Sequence, residues 1–300
     1  MSSSFQPPIV VHHMAALDPS PYPPNSLEAI RLCLEADAPF VEIDVTALAA
    51  DDYLLVHDPV LESETSGQGE VGATTSAAAK ALAIKGRDGA VTPYHPALLS
   101  EVVALFAQLG GQTRLQIDYK NVLPMRDDEP LRRILRLIEP LGDRVLISSG
   151  ADWHLRRMRA LAPWLDLGFD IGFYLDYRTE QGDPRQPPYV LGAYGYHDDH
   201  VTARQVFQEP AAYLAERCEI LYRTIAEVST WYVNYRLLAR ALDDGFNMTA
   251  WLHGVGLKMD AWTMDANKPT AVEQLSRLKA AGVDQFTTNT PRALAALLEL

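Results

Sequence analysis

The stretch FVEIDV, residues 40–45, sets two carboxylates, Glu42 and Asp44, at alternate positions of an otherwise apolar run. Side chains two apart on a strand share a face, so a strand here brings two acids together where burying even one is costly. Something cationic has to sit between them. YLLVHDP, residues 53–59, follows and adds His57 after a second short apolar run. Paired carboxylates followed by a histidine suit a hard divalent cation beside an acid/base group, and oxygen ligands favour Mg2+, Ca2+ or Mn2+ over zinc. The alternative is a buried strand that ends in two solvated acids, followed by a His57-Asp58 turn.

Outward from this stretch, short apolar runs alternate with helical patterns. IVVHH (9–13) reads as a first strand and NSLEAIRLCLEADA (25–38) as a helix, with Asn25 and Glu28 at capping-box spacing. FVEIDV and YLLVHD (53–58) follow as strands, then LLSEVVALFAQLG (98–110) as a helix, RLQIDYK (114–120) as a strand, EPLRRILRLIEPLG (129–142) as a helix and RVLISSG (144–150) as a strand. The beat continues through a helix at 151–164, a strand at 165–172, a strand within 219–232, a helix at 235–245, a strand at 257–265, a helix at 270–282 and a last strand at 284–291.

Strands separated by helices of this length imply right-handed crossovers and a parallel sheet. About eight units fit, so a closed (β/α)8 TIM-type barrel is expected over an open doubly wound sheet. Residues 60–97 are too long for a simple barrel loop and read as a small insertion after the second or third strand. Residues 173–205, rich in Pro, Gly, Tyr, Asp and His, read as a long loop at the barrel mouth. No boundary stands out, and residues 1–300 are expected to form a single domain.

The composition is that of an ordinary globular chain, long enough for one α/β barrel or two smaller domains: 300 residues, 48% hydrophobic and 22% charged. A formal net charge of −13 without Lys/Arg clusters argues against nucleic acid as partner. Cys33 and Cys218 are too few for a disulfide framework or a zinc ribbon. The start MSSSFQPP lacks the basic and apolar regions of a signal peptide, and no stretch has the length of a transmembrane segment. A cytoplasmic location is the expectation; the oligomeric state is not legible.

In such a barrel, functional side chains gather at the C-terminal ends of the strands. That rule selects His12, His13, Glu42, Asp44, His57, Asp118, Lys120, Ser148, Ser149, Thr263, Asp265 and Asn289. Ser148 and Ser149 lack a nucleophile-elbow pattern. His197-Asp198-Asp199-His200 falls in the irregular segment and reads as a solvated loop. Tyr174, Tyr177, Tyr189, Tyr194 and Tyr196 form either a lid or a loop pinned by aromatic packing. Trp262 stands in line for the mouth or the core.

The ordered set resembles the glycerophosphodiester phosphodiesterase family over nearly the whole chain. That family begins with a strand ending His-Arg-Gly, then Pro-Glu-Asn-Thr, Glu-x-Asp-Val and His-Asp; here these read VVHHM, PPNS, VEIDV and VHDP. ETSGQGEV, IDYK, WTMD and GVDQFTTNTP resemble its later segments. The resemblance implies Glu42, Asp44 and Asp118 as ligands of one divalent cation, Mg2+ or Ca2+ with Mn2+ as a further option. It also implies His12 and His57 as the acid/base pair, Lys120 as a phosphate-side cation, and His13 at the position of a phosphate contact; Trp262, if it lines the mouth, is a further substrate contact by its place in AWTMD. Four positions depart from the pattern: His13 stands for Arg, Met14 for Gly, Pro24 for Glu and Asp118 for Glu. Spider-venom phospholipases D have a related barrel with a strand ending His-Met, similar to His13-Met14.

What the resemblance implies is a metal-dependent hydrolase of a small-molecule phosphodiester, releasing an alcohol from a glycerophosphodiester or a lysophospholipid. Two other readings are open. One is a catalytically retired barrel that binds a phosphorylated ligand; the other is a metal-assisted hydrolase or lyase on a non-phosphate substrate.

Overall fold

The structure, a computed structural model, describes residues 7–109, 111–176, 209–225 and 227–299. Most of the 173–205 loop, with Tyr177, Tyr189, Tyr194, Tyr196 and His197-Asp198-Asp199-His200, lies outside the described residues. Among the described residues, no helix is long and apolar enough to cross a membrane.

Eight parallel strands close into a barrel: β1 (Ile9–His12), β2 (Phe40–Ala47), β4 (Arg114–Tyr119), β5 (Val145–Ser149), β6 (Asp166–Asp170), β7 (Thr230–Asn234), β8 (Lys258–Trp262) and β9 (Gln285–Thr288). β1 pairs in parallel with both β2 and β9, which seals the cylinder. The extra strand β3 (Tyr53–Leu54) runs antiparallel to the end of β2, outside the barrel. The expected strand at 53–58 is therefore shorter. Leu54 forms one further bridge to Leu98, and the chain then turns away, carrying His57 on a loop.

Each barrel strand has two buried faces, one towards the helices and one towards the axis. Val41, Ile43, Val45, Leu115, Ile117, Val145, Ile147, Leu167 and Phe169 join the large core between barrel and helices. Alternation then sends Phe40, Glu42, Asp44, Gln116, Asp118, Leu146 and Ser148 inward. Val11, Phe40, Leu146 and Tyr232 meet as a small apolar floor, against which Trp262 packs. Side chains from strands across the cylinder make that contact, which fixes the inward set. Gly168 leaves room for the Tyr232 ring, since a Cβ there would lie 2.3 Å from it.

The first helix, Leu27–Glu35, is capped by Ser26, whose hydroxyl accepts from the Ala29 N–H at 3.2 Å. Asn25, the expected cap, instead adopts φ +55° and turns its amide into the barrel. The 219–232 segment divides into the end of a helix (Pro210–Thr224) and the start of β7. Between β3 and the helix Leu99–Leu109, Leu61, Val71 and Ala79 of the insertion pack with Leu48, Leu54 and Val56 into a small separate core.

Candidate active site

Register decides which acids meet. Asp44 lies laterally beside Asp118, and Asp118 beside Ser148, so their inward side chains share one layer at the C-terminal end of the barrel. Glu42 lies two residues deeper on β2. One oxygen from each of Glu42, Asp44 and Asp118 falls within 4.8 Å of the others, a spread matched by the metal–oxygen bonds of about 2.0–2.6 Å that Mg2+ and Ca2+ make. The three-carboxylate set is hard and oxygen-only, as such an ion requires.

Lys120 sits among these acids, 3.0 Å from Asp44 Oδ1 and 2.5 Å from Asp118 Oδ2. Burial alone lowers the Lys120 ammonium's affinity for its proton, but Asp118, Asp44 and Glu42 outweigh it and hold Lys120 charged. Burial pushes Asp44 up, yet the Lys120 ammonium, at 3.0 Å, is the main charge that overrides it and keeps its carboxyl at about 2. Glu42 goes the other way. Burial, then repulsion from Asp44 and Asp118, drives it well above the ordinary carboxylate range, against Lys120 and the Met14 N–H that donates to Oε2 at 2.7 Å. Such a cluster is short of positive charge.

The two histidines of the β1 end point in opposite directions. Val11 faces the axis, so His12 faces the helices: its Nδ1–H donates to the Ala16 carbonyl at 2.8 Å, and Cys33 Sγ lies 3.8 Å from the same nitrogen. The charges that reach it are those of Asp18 and Arg292, not of the acidic cluster. His13 faces the mouth, with Nε2 4.0 Å from Glu42 Oε2, and it feels Asp44, Lys120 and Arg87. The structure thus brings His13 to the carboxylates and leaves His12 behind the strand. Met14 and Ala15, the next residues, take φ +52° and +56°. The left-handed turn that would favour glycine spans both positions.

The His13 tautomer follows from its neighbours. Asn289 donates through its backbone N–H (2.8 Å) and Nδ2 (3.2 Å) to the Asp265 carboxylate, which leaves its Oδ1 as an acceptor. His13 Nδ1–H donates to that oxygen at 2.9 Å, so the Nε2 lone pair faces the acids. Burial holds the ring below the usual histidine range, outweighing Asp44 and Asn289, and keeps it unprotonated near neutrality. His57 is positioned similarly. Its Nδ1–H donates to Asp58 Oδ1 at 2.9 Å, and Glu64 Oε1 accepts the His57 and Asp58 backbone N–H groups at 2.7 and 2.9 Å.

Four supporting residues escape the sequence reading. Asn25 Nδ2 donates to Asp44 Oδ2 at 3.1 Å and its Oδ1 accepts the Asp44 N–H at 3.3 Å; capping propensity masked this role. Glu64 and Arg87 reach the mouth from the insertion, where no local signal marks them. Asp170 ends β6 facing inward, and burial, then the Asp118 charge, pushes it up to about 7; its place at a strand end was the available sign. Trp262 ends β8 on the barrel floor, half-buried, with its ring near Gly172.

A parallel (β/α)8 barrel with an acid cluster, an ammonium and two oriented histidines at its C-terminal mouth is an enzyme scaffold for an anionic substrate. The sequence profile of the glycerophosphoryl diester phosphodiesterase family matches residues 18–293, and the chain belongs to that family: it is a phosphoric diester hydrolase. Solved structures agree on the fold. A chain from Galdieria sulphuraria assigned as a glycerophosphodiester phosphodiesterase superposes with TM-score 0.71 at 16% identity, covering 99% of this chain and 100% of that one. One from Silicibacter pomeroyi, similarly assigned, gives 0.68 at 20% identity, with 98% and 94% covered. A phosphodiesterase of Oleispira antarctica, solved with its product sn-glycerol-3-phosphate, gives 0.64 at 18%, with 98% of each chain covered. No curated relative matches this chain in sequence.

Proposed function

We propose that the protein is a divalent-cation-dependent phosphodiesterase that releases an alcohol from a small glycerophosphodiester or a lysophospholipid, acting as one domain across the chain. The observation that carries this reading is the Glu42, Asp44 and Asp118 cluster with His13 Nε2 turned towards it. Glu42, Asp44 and Asp118 would hold the cation, Mg2+ or Ca2+, and when bound it supplies charge neutralisation for the phosphoryl group.

The chain's own residues do the rest. Lys120, held charged by Asp118 and Asp44, offsets the third carboxylate so that the mouth accepts an anion. His13 and His57 divide the proton work: one takes the proton of the attacking oxygen, from water or from a neighbouring substrate hydroxyl, and the other delivers one to the departing alkoxide. His13, unprotonated and held by Asn289, has its free Nε2 placed to take the proton of the attacking oxygen; His57, with its Nδ1–H held by Asp58, delivers a proton to the alkoxide from Nε2 when that nitrogen carries one. Asp265 and Asn289 are positioning residues for His13. Trp262 offers an apolar wall to the alcohol side.

The direct test is hydrolysis of bis-(p-nitrophenyl) phosphate and glycerophosphocholine with and without EDTA, the products read by 31P NMR, which also shows any cyclic phosphate. Metal-dependent turnover is expected. No release from any of a panel of phosphodiesters sinks the reading, and phosphate binding without turnover would instead mark a retired barrel.

A further inference from the structure

The phosphoryl group needs one more cation than the site described above supplies. Glu42, Asp44 and Asp118 carry three negative charges; a divalent ion and Lys120 return three positive ones, so the loaded site is neutral before a monoanionic phosphodiester arrives. The turn after β1 reads His13-Met14-Ala15 and offers no cation. Lys120 is already engaged by two carboxylates.

Arg87 stands at the right place from a different part of the chain. It occupies the tip of a turn in the insertion, fixed by Gly86 N–H to the Ala90 carbonyl (2.8 Å), Gly89 N–H to the Gly86 carbonyl (2.9 Å) and Thr92 N–H to the Ile84 carbonyl (2.8 Å). Gly89 takes φ +78°, the left-handed conformation that lets the turn close. Arg87 Nη2–H donates to Asn289 Oδ1 at 2.7 Å, the same oxygen that receives His13 Nδ1–H at 2.9 Å. The guanidinium therefore sits next to the imidazole, and its charge reaches that ring. It also borders a cavity of about 360 Å³ between the insertion and the 15–24 loop, whose wall includes Asn289, Leu17 and Tyr22. Asn289 engages one of the five donors of a planar fork suited to phosphate oxygens. Asp265, which also faces Arg87, is neutralised in part by it and already binds Asn289.

Resting on the phosphodiesterase reading, we propose that Arg87, delivered by the 60–97 insertion, binds a free phosphoryl oxygen of the substrate above His13. The insertion thereby completes the active site, and Asn289 Oδ1 parks the guanidinium and the imidazole side by side.

The test uses the full-length protein loaded with Mn2+, titrated calorimetrically with inorganic phosphate. Arg87→Ala weakens phosphate binding about tenfold or more, as expected for loss of a charge-assisted bond; Arg87→Lys recovers part of it, and Mn2+ alone binds wild type and variants equally. Arg87 is exposed, so both variants should keep the wild-type Tm. In turnover, KM rises about tenfold for bis-(p-nitrophenyl) phosphate and glycerophosphocholine alike, kcat stays within about threefold, and guanidinium ion added to Arg87→Ala restores KM. Equal phosphate affinity in wild type and Arg87→Ala overturns the proposal. So does a KM increase confined to glycerophosphocholine, which places Arg87 on the alcohol. If the wild type hydrolyses nothing, the hydrolase reading falls, while the phosphate titration still decides Arg87.

Discussion

Replacing His13 and His12 separately by alanine gives a sharp contrast between two adjacent residues. His13 Nε2 stands 4.0 Å from Glu42 Oε2, and its Nδ1–H is locked on Asn289 at 2.9 Å. His13→Ala removes a proton carrier held in one tautomer, for which a loss of about 10²–10⁴ in kcat is expected, roughly 2.7–5.4 kcal/mol of barrier. His12→Ala removes a ring that is 6% exposed, with its 2.8 Å bond to the Ala16 carbonyl. One hydrogen bond and a small cavity between strand and helix cost about 1–3 kcal/mol of stability, a fall of several degrees in Tm, with kcat within about tenfold of wild type. The assays are steady-state kinetics on bis-(p-nitrophenyl) phosphate, calorimetric Mn2+ binding and thermal melts. If His12→Ala abolishes turnover while folding and binding Mn2+, and His13→Ala stays active, the assignment of inward and outward faces on β1 is wrong.

Other outcomes follow from the same geometry. Glu42→Gln removes a carboxyl driven up by burial and by Asp44 and Asp118, so in EDTA the variant should melt no lower than wild type at pH 7, while the Tm gain on adding Mn2+ shrinks sharply; an undiminished gain means the ion binds elsewhere. Burial pushes Asp260 up to about 8 despite hydrogen bonds from Thr287. Its folded pKa lies above its unfolded one, so the folded state holds the extra proton and stability falls as pH rises from about 4 to 8, by up to about 1.4 kcal/mol per unit. Asp260→Asn should flatten that slope in urea titrations, and an unchanged slope refutes the assignment. Gly168→Ala places a Cβ 2.3 Å from the Tyr232 ring; a loss of about 1–3 kcal/mol is expected, read as an earlier urea midpoint.

The barrel was legible because every β-then-α repeat buries its strand on both sides, leaving runs such as RVLISSG between helical patterns. The acid cluster was legible as well. In VEIDV and LQIDYK the polar residues alternate with apolar ones, so the inward face is written into the chain: Glu42 and Asp44 on one strand, Gln116 and Asp118 on another. IVVHH carries no such mark. Its apolar run is continuous and two histidines end it, so only the closed barrel, by putting Val11 on the axis, shows that His13 faces inward and His12 outward. Asn25 is similar: a good helix cap by type, it left that task to Ser26 and bonded Asp44.

The sequence by itself determined the alternation of strands and helices, the barrel, the family and the carboxylates that share a face, because these rest on periodicities of two and 3.6 residues that act within a segment. Tertiary structure alone decided the rest: which histidine joins the acids, how Asp265 and Asn289 fix its tautomer, and that Arg87 of the insertion reaches the mouth. Two of these contacts, those of Arg87 and His13 with Asn289, join residues more than two hundred positions apart. No local propensity encodes such a distance; closure of the barrel sets it.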